Sequence, residues 1–169
     1  MMVLRPLAGL GLVTALLLGG CGLEPVYSGG THGIAGTALS SIEIAPIPNR
    51  AGYLMSAALH DRFNADGTAR YRLEVELDDQ ILGFGVRGDN SIARERRTLR
   101  ARYRLVGITS GTVILDATAT SDIGIDRVSS DFAVVAAENT ALERLTTDLA
   151  DQITIRIARF AKTGGVGEK

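Results

Sequence analysis

Tryptophan is absent from this chain of 169 residues, and phenylalanine and tyrosine number four each. So few aromatic rings argue against a platform that stacks sugars or single-stranded bases. Charge of one sign is also missing: 18 basic residues face 19 acidic ones. With no net positive field, a nucleic-acid partner is not expected, and any anion site has to be local. There is one cysteine, Cys21, so no internal disulfide can form. The histidines, His32 and His60, are far apart, and zinc needs three or four converging ligands, so no metal site or cofactor is expected. No G-x-S-x-G occurs, and the adjacent carboxylates Asp78 and Asp79 project to opposite faces of a strand, unsuited to joint acid-base work. The reading is therefore not an enzyme.

What is present begins with an export signal. Arg5 supplies the positive start, and Leu7 to Leu18 form an apolar run of about a dozen residues, short of the ~20 that span a bilayer as a helix. Leu18-Gly19-Gly20-Cys21 then resembles the bacterial lipobox, in which the cysteine receives a lipid before cleavage. An unpaired thiol exported to an oxidising compartment needs a reason, and a thioether provides one. The alternative is a free cysteine behind an ordinary secretory signal. Residues 1–20 are thus assigned to a lipoprotein signal peptide and Cys21 to the lipid-attachment site. Anchoring by several acyl chains would be stable where one is marginal. Gly22 after the cysteine, where enteric sorting rules would place Asp for inner-membrane retention, leans toward a lipid-anchored position at the outer membrane, on the periplasmic side.

The mature chain, about 150 residues, suits one domain. Residues 21–40 hold glycines among serines and threonines with no sustained period and read as a flexible tether. The domain is expected over 41–162. Ile42 and Ile44 alternate in a short strand closed by Pro46-Ile47-Pro48, and Asn49 opens a helix through Leu54, Met55, Ala58, Leu59 and Phe63. A period of two from Tyr71 sets Leu73, Val75 and Leu77 against Arg72, Glu74 and Glu76. Ile81, Leu82, Phe84 and Val86 extend this strand, with Gly83 and Gly85 permitting a bulge or a strong twist. After Gly88-Asp89-Asn90, a third strand turns Leu99, Ala101, Tyr103 and Leu105 inward and Arg94, Arg96, Arg100, Arg102 and Arg104 outward. A turn at Thr109 to Thr112 leads to a fourth strand over Val113 to Thr120, and a long amphipathic helix runs from about Asp131 to Ala161. Arg156 and Arg159 there complement its C-terminal dipole. Residues 163–169 are expected to be a disordered tail. The order β-α-β-β-β-α predicts an α/β (α+β) two-layer sandwich: a four-stranded, mostly antiparallel mixed sheet with two helices on one face and the first two strands parallel.

The opening Cys21-Gly22-Leu23-Glu24-Pro25-Val26-Tyr27 resembles the Cys-Gly-aromatic-x-Pro-Leu-Tyr start of the lipopolysaccharide-assembly lipoprotein LptE family, and the element order is similar. The resemblance implies an outer-membrane lipoprotein that plugs and helps assemble the large β-barrel partner LptD and takes part in lipopolysaccharide export. It also implies that basic residues around the second hairpin contact lipopolysaccharide. Arg87 and Arg94 are carried over from it, and Arg96 and Arg97 thicken the same cluster. The family's lysine at the start of the last helix has no counterpart, since Ala136, Ala137 and Glu138 stand there.

Beside that reading stands a plainer one, in which the arginines pair with acidic neighbours or form a solvated charge cluster. A hairpin centred near Asn90 would set Asp78 opposite Arg102 and Glu76 opposite Arg104. Arg94, Arg96 and Arg97 would then face no carboxylate on the second strand and stay available to a ligand or a barrel wall. The alternative function is an auxiliary lipoprotein of another envelope lipid transporter of the ABC type.

Overall fold

A computed structural model describes residues 33–63, 69–86, 88 and 92–166, so the signal segment, Cys21 and the Cys21 to Tyr27 motif lie outside the described residues. The elements are α1 (Ile34–Ser40), β1 (Ile42–Ile44), α2 (Asn49–Phe63), β2 (Tyr71–Val86), β3 (Ile92–Gly107), β4 (Val113–Asp126) and α3 (Asp131–Lys162). The four strands lie in sequence order in one sheet, with β1 parallel to β2 and both later pairs antiparallel. The mixed two-layer sandwich expected from the sequence is the observed architecture, with a third helix added.

That third helix is α1. Residues 34–40, read from the sequence as the end of a tether, form a seven-residue helix that buries Ala35, Ala38 and Leu39 and packs against α2 and α3. Seven residues rich in Ala, Gly, Thr and Ser show no pattern, and a helix so short is held by tertiary contacts rather than by its own propensity.

Local chemistry explains the joints. The Ser41 carbonyl accepts from both Arg70 and Tyr71 N–H, at 2.9 and 3.2 Å, and Ala45 N–H donates to the Leu73 carbonyl, which seats β1 on β2. Asn49 takes a φ of 69°, a left-handed conformation that asparagine tolerates better than most residues. At Gly52 a Cβ would sit 2.4 Å from the Ile47 carbonyl oxygen, so only glycine lets α2 close on the preceding turn.

Two expectations about β2 need correction. The β2–β3 register places Glu74, Glu76 and Asp78 opposite Arg104, Arg102 and Arg100, a shift of two residues from the pairing expected of a turn at Asn90. A shift of two keeps every side chain on its face, so the inward set is unchanged. Gly83 and Gly85 introduce no bulge: Gly83 pairs with Glu95 and Val86 with Ile92 in one register, and Gly85 absorbs a φ of 75° within it. The one irregularity lies between Leu105 and Val106, against β4.

β4 runs six residues beyond the expected Thr120, and α3 spans 32 residues, roughly 48 Å. Ser130 caps it, accepting from Ala133 N–H at 3.4 Å. Its C-terminus is also ordered further than expected. Gly164, with φ 81°, and Gly165 donate to the Ala161 and Phe160 carbonyls, and Val166 packs on the core; only 167–169 of the expected tail lie outside the described residues.

The core fills the space between sheet and helices. Leu73, Leu99, Ala101 and Leu105 meet Met55, Leu59, Phe63, Leu149, Ile153 and Ile157, all essentially inaccessible to solvent. Among the described residues, no helix is long and apolar enough to cross a membrane.

Candidate functional site

The helices cover one face of the sheet, and the other is a ladder of opposite charges. Arg72 meets Glu43 at 2.6 Å, Arg104 lies between Glu74 and Glu76, and Arg102 pairs with Asp116 at 2.8 Å. The ladder continues through Arg96 with Asp122 at 3.6 Å and Arg94 with Asp126 at 2.7 Å, toward the end where the β2–β3 hairpin turns. The Arg102 bond holds the Asp116 carboxyl below its ordinary range, and the same bond raises Arg102.

The expectation that Arg94, Arg96 and Arg97 lack carboxylate partners is therefore overturned. Their partners come from β4 for the first two, because the strand continues to Asp126 and presents Asp122 and Asp126 on the arginine side. The signal was in the sequence: 116, 122 and 126 share parity, which becomes informative once the strand is extended.

Arg97 belongs to a different environment. It shares the parity of Leu99 and Ala101, so it points under α3, where its side chain is 11% exposed. Nε and Nη2 donate to both oxygens of Asp79, and Nη1 donates to the Glu138 carbonyl at 2.6 Å. The bond to Asp79 raises its pKa against the opposing effect of burial. Beside it, buried Glu95 accepts from Arg127 at 2.6 Å and leaves its second oxygen, Oε2, without a hydrogen-bond partner among the described residues. Sequence reasoning did not find this inward polar cluster, since Glu95 and Arg97 read as members of a basic run.

Arg94 and Arg96 remain on the outer surface. Their pairs are exposed on both sides, and Arg96 also stacks over Phe84 at 5.5 Å. Exposed apolar side chains gather at the same end: Ile81, Leu82 and Phe84 on β2, then Val128, Phe132 and Val135 at the start of α3. Arg87, carried over with Arg94, lies outside the described residues.

Elsewhere, His60 sits on α2 and donates from Nδ1 to the Ser56 carbonyl at 2.7 Å. Among the described residues, no group of three or more His, Cys, Asp or Glu is placed to hold a metal ion.

Comparison with known proteins bears on this arrangement in two ways. The family model LptE, described as Lipopolysaccharide-assembly, matches residues 39–157, most of the chain. Among solved structures, a Caulobacter crescentus CB15 protein assigned as a lipoprotein is 24% identical, with a TM-score of 0.66 over 79% of this chain and 98% of that one. Rare lipoprotein B of Shewanella oneidensis is 10% identical, with a TM-score of 0.57 over 73% of this chain and 96% of that one. A lipoprotein B of Nitrosomonas europaea is 12% identical, with a TM-score of 0.58 over 73% and 84%. At these identities the likeness is one of fold. No curated protein matches.

Proposed function

The chain belongs to the LptE family of lipopolysaccharide assembly, and from that premise we propose that it is an outer-membrane lipoprotein, lipidated at Cys21, whose domain seats inside the LptD β-barrel. In this reading it plugs the barrel, helps assemble it and contacts lipopolysaccharide on its way to the cell surface. No chemical step is involved.

The observation that carries the proposal is the contrast between the two faces of the sheet. One face is covered by helices, and the other presents exposed ion pairs from Arg72 to Arg94 along strands of 16 residues, roughly 50 Å. Large outer-membrane barrels have polar interiors and accommodate plugs, and a polar, rigid sheet face suits such a lumen.

For lipopolysaccharide the supporting residues are Arg94 and Arg96, with Arg87 retained from the family pattern. Exposed ion pairs are worth about 0 to 1 kcal/mol, so a phosphate can replace Asp126 or Asp122 with little loss and gain a guanidinium matched to its geometry. Arg97, committed to Asp79 beneath α3, is left out of this set.

Mild detergent extraction and pull-down test the partner: a large outer-membrane β-barrel should be recovered. Recovery of an inner-membrane ATPase complex instead would favour the ABC-type alternative and sink this reading. Depletion tests the process, since normal surface lipopolysaccharide after removal of the protein would end the export role.

A further inference from the structure

Cavities along the described surface differ in charge. One, between Thr140 and Asp151 on α3, sets Arg144 among Glu143, Asp148 and Asp151. Another, on the outer sheet face, balances Arg100 and Arg102 with Glu76 and Asp78. A third, about 490 Å³, lies where α3 passes the edge strand β4 and contains Arg156 and Arg159 with no carboxylate in its lining. Neither guanidinium forms an ion pair with any carboxylate among the described residues, unlike the arginines of the strand ladder.

The groove has a structural origin. Ala117 and Ala119 hold inward positions on β4 as the register partners of Tyr103 and Ala101, and their small side chains leave space that larger residues would fill. Gln152, Ile155, Arg156 and Arg159 form the facing wall, at spacings of three and four along one side of α3. The helix dipole accounts for Arg159, which sits in the last turn, but, against the expectation from the sequence, not for Arg156, six residues before the end at Lys162. Burial pushes the Tyr103 phenol up, so it stays protonated and can donate.

We propose that this groove is a phosphate-binding site, in which Arg156 and Arg159 hold the phosphate, the Tyr103 hydroxyl donates to it, and Ala117, Ala119 and Ile155 leave room for an attached apolar chain. Two guanidiniums match the near-dianionic charge of a phosphate monoester at neutral pH. The site lies on the opposite face of the sheet from Arg94 and Arg96, roughly 20 Å away along β4, so it stands or falls apart from the contacts proposed there.

Calorimetric titration of the full-length lipoprotein in neutral detergent tests it, with hexyl phosphate, inorganic phosphate and hexanol as probes. Hexyl phosphate should bind, hexanol should not, and Arg156→Gln with Arg159→Gln should weaken binding at least tenfold while the melting temperature holds. If Ala117→Leu weakens hexyl phosphate but spares inorganic phosphate, the ligand is a lipid-borne phosphate. Equal affinity for both phosphates, lost in the arginine double variant, identifies free phosphate as the ligand. No binding of either phosphate, or binding unchanged in the double variant, overturns the proposal.

Discussion

The two ends of the long sheet are built by different chemistry under the same helix. Where β1 and α2 also contribute, the inner face is hydrocarbon: Leu73, Leu99, Ala101 and Leu105 lie against Leu145, Leu149, Ile153 and Ile157. Toward the β2–β3 turn, the inner face becomes Glu95 and Arg97, tied to Arg127, Asp79 and the Glu138 carbonyl, and α3 buries little there beyond Val134. Burial of aliphatic groups stabilises strongly, whereas a partly buried ion pair offsets much of its attraction with desolvation. The near end therefore supplies stability and the far end holds a geometry. Ile81, Leu82, Phe84 and Phe132 are exposed toward that far end.

The contrast breaks most sharply by deleting core volume. Leu149→Ala, at a fully buried position touching the sheet, should cost about 3 kcal/mol, read as a lower midpoint in denaturant with an unchanged slope. A loss under about 1 kcal/mol would mean that the near end is not the seat of stability. Next in size is Arg97→Ala, expected at about 2 kcal/mol because it strips a half-buried Asp79 of a two-pronged partner. Its distinguishing readout is local. Amide exchange should quicken over 131–138 and stay unchanged over 145–157, and a uniform change would show that the two ends unfold as one unit.

On the outer face the expected stability effects are smaller. Arg94→Ala with Arg96→Ala removes two exposed pairs and should shift stability by no more than about 1 kcal/mol, while weakening lipopolysaccharide binding by about tenfold. Binding that survives at physiological salt would remove both residues from the proposed contact. A large loss of stability would instead make the outer ladder a structural feature rather than a surface kept for docking.

The near end was the legible one. Alternation in Leu73, Val75, Leu99, Ala101, Tyr103 and Leu105, and the stripe from Leu142 to Ile157, state their periods openly because the inward positions are apolar apart from Thr146 and Thr154 on α3. The far end hides its pattern. Glu95 and Arg97 point inward but sit within a run of arginines, and Gly124 with Asp122 and Asp126 conceals a strand whose ends set the partners of Arg94 and Arg96. Charge pairing depends on register across two neighbours, which no single segment encodes. α1 escaped notice for another reason: Ala35 and Ala38 are buried by what lies over them, not by any period of their own. The candidate site was thus half visible, with the arginines named and their partners missed.

The smallest effect tests the outer ladder by its pH dependence. Asp116 accepts two hydrogen bonds from Arg102, at 3.2 and 2.8 Å, and that contact lowers its pKa from the usual 3.8. A carboxylate whose pKa is depressed on folding adds stability above its unfolded value and loses it as pH falls through the folded one. The gap in melting temperature between wild type and Asp116→Asn should therefore be small and level from pH 7 to about pH 5, and should close below 3.8. Because the pair is solvent-exposed, salt should shrink the gap as well. The shift should stay well below that of Arg97→Ala, since water can readily replace Arg102, whereas the Arg97 side chain is only 11% exposed beneath α3. An Asp116→Asn effect equal to that of Arg97→Ala would erase the distinction between a surface ladder that a partner can exchange and an inner cluster that it cannot.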